Sequence, residues 1–257
     1  MPRARVVLVH GLRTSATMWR RQVAALARHD IEAVAIDLPG HGTRIGEPFS
    51  LDEAMRVIGE ALPPTDGSSH HPPRLLVGLS LGGYLAVEFA ARHPDRIDGL
   101  VAASCGTRPG GAGLAGYRRL AALIGRMPDR GRALNDLMVR LFLSREGVDD
   151  VLAGGVALDV MAPVLSAVED LDPEAALTHI DVPVWFVNGR FDHFRFEERR
   201  MLRAARDGRL VVVPGATHLV SLARPDEFTA VILGVVAELE HRAARARRSR
   251  RVGTVGT

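Results

Sequence analysis

Six short segments of the chain are almost continuously apolar, and a polar turn or loop follows each of them. These segments are ARVVLV (4–9), IEAVAI (31–36), RLLVGL (74–79), IDGLVAA (97–103), VPVWFV (182–187) and RLVVVP (209–214). Strands that are buried on both faces of a parallel sheet give such unbroken runs, whereas half-exposed strands alternate polar and apolar positions. The pattern therefore predicts an α/β fold with an open, mostly parallel sheet of about six strands.

Segments with apolar residues at helical spacing lie between these runs. They cover residues 18–29, 51–62, 81–93 and 196–206, and Pro225 suits the first turn of a last helix. Alternation of strands with helices in this way predicts helices on both faces of the sheet.

One long stretch contains helical patterns but no strand, and it interrupts the alternation between strands four and five. It covers residues 106–179, with its clearest patterns at 117–127 and 132–143. An insertion at this point is expected to lie over the carboxyl ends of the strands, where open α/β sheets bind ligands. We therefore predict a core formed by residues 1–105 and 180–240, with residues 106–179 as a helical lid.

Composition and charge exclude several classes of protein. The chain has 257 residues, of which 47% are hydrophobic and 25% charged, as in a globular domain. Its one cysteine, Cys105, excludes an intramolecular disulfide and a thiolate metal site. There is no apolar run long enough to span a membrane and no signal-peptide core, so we expect a soluble, cytoplasmic protein.

The basic residues are all arginines, and six of them crowd the end of the chain within residues 241–257. Without these six, the formal net charge of +3 becomes −3. The high pI therefore describes a basic tail, which we predict to be disordered, and not a surface that binds nucleic acid.

The sharpest chemical signal is GLSLGG (78–83), which places Ser80 between a buried strand and an amphipathic helix. The pattern G-x-S-x-G in this context holds a serine at a sharp strand-to-helix turn, and the flanking small residues let neighbouring backbone pass close by. The start of the helix directs free N–H groups and a positive dipole end toward the reaction centre. We interpret Ser80 as a nucleophile.

A serine hydroxyl needs a base to activate it, and the base needs a carboxylate to orient it. Asp192 follows the fifth apolar run and His218 follows the sixth, so both are expected at the edge of the sheet where Ser80 lies. His193 is the one serious rival as base, because it neighbours Asp192. Three other acidic residues compete for the orienting role: Asp159, Asp172 and Asp181.

Two backbone N–H groups are candidates for the oxyanion hole, which stabilises negative charge on the attacked carbonyl oxygen. One belongs to Leu81, which follows the nucleophile at a helix start. The other belongs to Leu12, because Gly11 lets the chain turn sharply at the end of the first strand. His10 is expected to shape that turn and not to catalyse.

Five motifs in this order resemble the α/β-hydrolase superfamily over roughly residues 3–240. They are His10-Gly11, DLPGHG (37–42), GLSLGG (78–83), NGRFDH (188–193) and GATHLV (215–220). The resemblance implies a triad of Ser80, Asp192 and His218, with oxyanion roles for Leu12 and Leu81.

Departures from the family pattern narrow the choice of branch. The first strand begins by about residue 4, and the β-hairpin that precedes it in most members is missing. This short start resembles the methylesterase and hydroxynitrile-lyase branch and its bacterial relatives. Cyanohydrin cleavage in that branch uses a lysine, and because this chain has none, that activity is disfavoured. Haloalkane dehalogenases and epoxide hydrolases carry Asp at the position of Ser80, so the serine excludes these two classes of enzyme. Phe194-Arg195-Phe196 also replaces a proline that is common after the acid.

We expect a serine hydrolase that cleaves a small to medium, largely apolar carboxylic ester through an acyl-enzyme. A thioesterase, a lactonase, a C–C bond hydrolase, a tailoring enzyme of secondary metabolism and a slow-turnover ligand receptor are the alternatives. The sequence implies no metal or organic cofactor, because no metal-ligand spacing occurs. The expected partner is a small-molecule substrate, with no nucleic acid and no membrane.

The predicted lid contains several large apolar residues, which either line an apolar substrate pocket or form the core of the lid itself. They are Leu137, Met138, Leu141, Phe142 and Met161.

Overall fold

The computed structural model describes residues 2–64 and 71–253, and in these ranges the chain forms one six-stranded sheet flanked by helices. The strands are β1 (Ala4–Val9), β2 (Ile31–Ile36), β3 (Arg74–Leu79), β4 (Gly99–Ala103), β5 (Val184–Gly189) and β6 (Gly208–Val213). Their order across the sheet is β2-β1-β3-β4-β5-β6, and every neighbouring pair is parallel. The predicted fold class is confirmed.

All six strands point their carboxyl ends to one edge of the sheet. The central strands β3, β4 and β5 are buried throughout, whereas the edge strands β2 and β6 are partly exposed. The fourth strand starts two residues later than predicted, because Asp98 turns the chain with hydrogen bonds to Arg74. The carboxyl edge is therefore the place where the loops after β1, β3, β4, β5 and β6 meet.

Eleven α-helices occur in the described ranges. They are α1 (Arg20–Ala27), α2 (Leu51–Ala61), α3 (Leu81–Arg92), α4 (Gly111–Gly125), α5 (Arg132–Phe142), α6 (Arg145–Ala153), α7 (Met161–Val168), α8 (Pro173–Leu177), α9 (Glu198–Ala204), α10 (Val220–Ala223) and α11 (Pro225–Gly253). Successive residues of a strand point to opposite faces, so β1 sends Val6 to one apolar cluster and Val7 to another. The first cluster includes Phe228 of α11 and the second Phe89 of α3. Two layers of helices thus cover the sheet.

The segment between β4 and β5 is helical, from α4 to α8. Its later helices join the core, since Val164 of α7 and Leu177 of α8 are buried in the same cluster as Phe89. Helices α4 and α5 differ, because they expose large apolar side chains such as Leu123 and Leu137. Within the predicted lid, α4 and α5 are thus the helices with the most exposed apolar side chains, although Val139 of α5 is buried in the cluster that contains Phe228. Their role as a lid stays a prediction.

The end of the chain departs from the sequence-based expectation. Helix α11 continues to Gly253, so the prediction of a disordered tail from residue 241 is wrong for 241–253. Alanine and arginine are good helix formers, and Arg242 anchors this turn by ion pairs with Asp207 and Glu238. Although α11 has 29 residues, no helix in the described parts of the chain is long and apolar enough to cross a membrane.

Candidate active site

Ser80 lies between the last residue of β3 and the first residue of α3, with φ 56° and ψ −114°. A positive φ is uncommon for a residue with a side chain and costs on the order of 1 kcal/mol or more, so the surroundings must hold it. The Ser80 N–H donates to the Ala103 carbonyl at 2.8 Å, which ties the turn to β4. The serine hydroxyl is thereby held at the carboxyl edge of the sheet.

Two glycines allow this turn to pack. A Cβ atom at Gly78 would lie 2.1 Å from the carbonyl oxygen of Gly82, and one at Gly82 would lie 2.3 Å from that of Val9. Both distances are far shorter than a van der Waals contact, so larger residues do not fit. The start of α3 consequently sits directly against the end of β1.

His218 connects Ser80 to Asp192. Its Nε2 atom is 3.0 Å from Ser80 Oγ, and its Nδ1 atom is 2.9 Å from Asp192 Oδ1. The loops after β5 and β6 meet closely, because a Cβ at Gly189 would lie 2.3 Å from the Thr217 carbonyl oxygen. The structure therefore brings together the three side chains singled out in the sequence, in hydrogen-bonding order.

The Asp192 carboxylate is buried and remains ionised. Burial alone would raise its pKa, but the His218 hydrogen bond and charge, together with the Phe194 N–H at 2.8 Å, hold the pKa below its ordinary value. Proline at position 194 would lack that N–H, so the unusual sequence after the acid supports the carboxylate directly. An ionised Asp192 can orient the His218 ring and stabilise its protonated form.

Ser104 supports the histidine loop, although it belongs to no sequence motif. Its hydroxyl donates to the His218 carbonyl oxygen at 2.7 Å, and its N–H donates to Asn188 Oδ1 at 3.0 Å. Its φ of 53° is again in the left-handed region. The available signal was position, because Ser104 directly follows β4 at the edge where ligands bind.

The competing residues occupy other roles. The His193 side chain is 69% exposed and its Nδ1 lies 4.0 Å from Asp192, so it does not take the bond that His218 makes. Asp172 caps the N-terminus of α8. Asp159 and Asp181 form ion pairs with arginines at the surface.

The first strand ends against the serine. A Cβ atom at Gly11 would lie 3.5 Å from Ser80 Cβ, so the next residue, Leu12, turns beside the nucleophile. Leu81 opens α3, where the first N–H groups have no partner within a helix. Both predicted oxyanion donors thus belong to backbone adjacent to Ser80, and their role stays a prediction.

Cys105 is a buried, free cysteine beside this site. Burial raises the pKa of its thiol to about 12. The sulfur packs on α3, since a Cβ at Gly83 would lie 2.7 Å from Sγ. A protonated thiol is a poor nucleophile, so Cys105 does not compete with the predicted nucleophile, Ser80.

Comparison with known proteins decides the family. Residues 6–231, most of the chain, match the alpha/beta hydrolase family. The chain belongs to this family. The resemblance found in the sequence is therefore confirmed, and so is the fold class predicted from the apolar runs.

Two curated relatives of this alpha/beta hydrolase share the name pimeloyl-[acyl-carrier protein] methyl ester esterase. The protein of Cronobacter sakazakii is 29% identical over 253 residues, which cover 92% of this chain and 94% of the relative. That of Neisseria meningitidis serogroup C is 28% identical over 213 residues, covering 77% and 80%. Among solved structures, a thermophilic esterase from Thermogutta terrifontis aligns with a TM-score of 0.75 at 23% identity, covering 93% of this chain and 91% of that one. This structural likeness shows the shared fold.

Proposed function

We propose that this alpha/beta hydrolase cleaves a small to medium carboxylic ester, with methyl esters as the leading class, through an acyl-enzyme on Ser80. The observation that carries the proposal is the continuous hydrogen-bonded arrangement from Ser80 Oγ through His218 to the buried Asp192. The curated relatives support an ester as substrate, because their shared name specifies a methyl ester esterase.

Acylation begins when Ser80 Oγ attacks the ester carbonyl carbon and its proton passes to His218 Nε2. Asp192 accepts the hydrogen bond from His218 Nδ1–H and stabilises the imidazolium that forms. The tetrahedral intermediate then expels the alcohol, which takes the proton from His218. What remains is an ester between Ser80 and the acyl group.

Deacylation repeats these steps with water in place of the serine. His218 removes a proton from the water as it attacks the acyl carbonyl carbon. The second tetrahedral intermediate expels Ser80, which regains its proton from the imidazolium. The products are the carboxylic acid and free enzyme, so each turnover consumes one water.

Negative charge on the carbonyl oxygen faces the backbone N–H groups of Leu12 and Leu81 in this scheme. Loss of one such donor costs on the order of 3 kcal/mol in the transition state. Because both donors are backbone groups, side-chain substitution at these positions leaves them in place.

Helices α4 and α5 serve as the lid in this proposal. Tyr117 of α4 meets the Phe194 ring edge-on at 6.4 Å, and that ring lies 4.9 Å from the His218 ring. The lid thus reaches the triad through two aromatic rings. An apolar covering of this kind suits esters with small hydrocarbon parts.

The test is hydrolysis of p-nitrophenyl and methyl esters of increasing acyl length by the wild type and by Ser80→Ala. We expect wild-type turnover and a loss of kcat of about 10⁶-fold in the variant, to background. Ser166→Ala, which changes an exposed serine on α7, is the matched control and should retain full activity. Turnover that survives Ser80→Ala would show that another group is the nucleophile.

A further inference from the structure

The acid loop, which we define as residues 189–198, is closed by an ion pair between Arg195 and Glu198. The pair is bidentate, with Arg195 Nε 2.7 Å from Glu198 Oε2 and Nη2 2.6 Å from Oε1. Arg195 Nη1 also donates to the carbonyl oxygens of Gly189 at 3.3 Å and Arg190 at 3.0 Å. The guanidinium therefore ties the start of the loop to its end, on either side of the predicted orienting carboxylate.

The Glu198 carboxylate also reaches the histidine loop, through two further side chains. Its Oε2 accepts a hydrogen bond from Asn188 Nδ2 at 2.9 Å. Asn188 Oδ1 in turn accepts from the Ser104 N–H, and the Ser104 hydroxyl donates to the His218 carbonyl oxygen. A series of residues linked by hydrogen bonds consequently joins Arg195 to the backbone of His218.

Most of this series is buried. Asn188 and Ser104 are each 1% exposed, and Glu198 is 8% exposed. Burial would raise the pKa of Glu198, but hydrogen bonds from Arg195 and Asn188 hold the pKa below its ordinary value, so the carboxylate is ionised. Desolvation offsets much of the attraction within a buried ion pair, so net stability is a weak reason for this one. Geometry is the better reason, because the pair lies between the loops that carry the orienting carboxylate and the general base.

We propose that Arg195 and Glu198 are positioning residues that set the hydrogen bond between the side chains of Asp192 and His218. This inference rests on the proposed ester hydrolysis and adds the device that keeps two of its three side chains in place. Arg195 acts on Asp192 through the backbone of the acid loop. Glu198 acts on His218 through the two buried side chains between them. Because the carboxylate must orient the imidazole, a shift of about 1 Å in either loop should slow turnover about 10²-fold.

The test compares the wild type with Glu198→Gln, whose neutral amide cannot form the ion pair with Arg195. For p-nitrophenyl acetate, kcat should fall by roughly 10–100-fold, while KM should change by less than about 3-fold. Proton NMR of the protein with isotope-labelled histidine reports the His218 Nδ1–H directly. A short hydrogen bond to Asp192 moves this resonance far downfield, so in the variant it should move upfield.

Glu88→Gln is the matched control, because it breaks an ion pair of the same kind, with Arg92 at 2.7 Å, within α3. It should leave kcat, KM and the histidine resonance as in the wild type. Arg195→Lys carries the test where Glu198→Gln does not fold. Lysine keeps the charge but cannot form the bidentate pair, so the same loss of kcat and the same upfield shift are expected.

Two results would overturn the inference while leaving ester hydrolysis intact. One is a kcat in Glu198→Gln within about 3-fold of that of the wild type. The other is a loss of kcat with an unmoved His218 resonance, which would mean that the pair supports the fold without setting the triad. If the wild type hydrolyses no ester, the proposed function fails by itself, and the resonance alone decides. An upfield shift in Glu198→Gln then supports the inference, and an unchanged position overturns it.

Discussion

His10 is a buried imidazole whose two nitrogens are both used in its neutral form. Nδ1–H donates to the Gly11 carbonyl oxygen at 2.8 Å, and Nε2 accepts from the Leu38 N–H at 3.0 Å. Burial, with the neighbouring His41, lowers its pKa to about 3. The ring thus ties the turn that carries Leu12 to the chain at Leu38, and the absence of a proton-transfer role stays a prediction.

A neutral buried histidine makes stability depend on pH. The unfolded chain takes up this proton near pH 6.5, whereas the folded chain does so only near pH 3. Stability is therefore lost as pH falls through this window, by up to about 1.4 kcal/mol per pH unit. His10→Gln keeps a donor and an acceptor without titrating, so its free energy of unfolding should fall less steeply. Urea unfolding of the wild type and of His10→Gln from pH 7 to pH 4 measures how steeply each free energy of unfolding falls with pH. Equal slopes for the two proteins would contradict the lowered pKa of His10.

The sequence identified Ser80, Asp192 and His218 because each follows an apolar run in a recognisable motif. It could not identify Ser104, since serine is common after strands and only the fold shows its bond to His218.

Among the elements, the junction of β3 with α3 has no space for an added side chain. Gly82→Ala would place a Cβ atom 2.3 Å from the Val9 carbonyl oxygen, which belongs to β1 and cannot move freely. We expect a loss of about 3 kcal/mol or more in the free energy of unfolding, measured by urea denaturation.

Gly234→Ala is the matched control for that experiment. Gly234 lies exposed within α11, and nothing lies within 4 Å of its added Cβ. The same substitution should here raise stability by up to about 1 kcal/mol, because alanine is the better helix former. Equal effects at both glycines would contradict the close approach of α3 to β1.

The strands were predictable to within about two residues, because buried parallel strands are unbroken apolar runs. Helix α4 was predicted from residue 117 and instead begins at Gly111, inside a glycine-rich run that looked like a flexible connection. Helix α11 extends beyond its predicted end at residue 240, because its Arg and Ala residues favour helix even where they contact no core. Local propensity was therefore underestimated at the end of α11, whereas α4 begins against the low helix propensity of glycine.

At the scale of the whole molecule, charge is divided unevenly. The chain beyond residue 242 carries five arginines, and its described hydrogen bonds run within α11, such as that from Arg247 to Ala243. In the part of the chain that the structure describes, Arg242 is the last residue with an ion pair outside α11, which it forms with Asp207. Residues 244–249, which follow it, are exposed.

Truncation after Arg242 should consequently change surface charge and little else. The formal net charge would pass from +3 to −2. We expect kcat/KM to stay unchanged and Tm to shift by less than about 2 °C, while retention on a cation exchanger is lost. A fall in Tm well beyond this value would mean that the tail packs on the body of the protein.

The burial of Cys105 leaves the surface of this protein without a reactive thiol, and the absence of lysine leaves it without side-chain amines. A cysteine introduced on α5, for instance Leu137→Cys, would therefore be the sole target of a maleimide fluorophore. Leu137 is 61% exposed, so the dye would attach without disturbing the core. Emission from that single dye could follow the movements of α5 during turnover in real time.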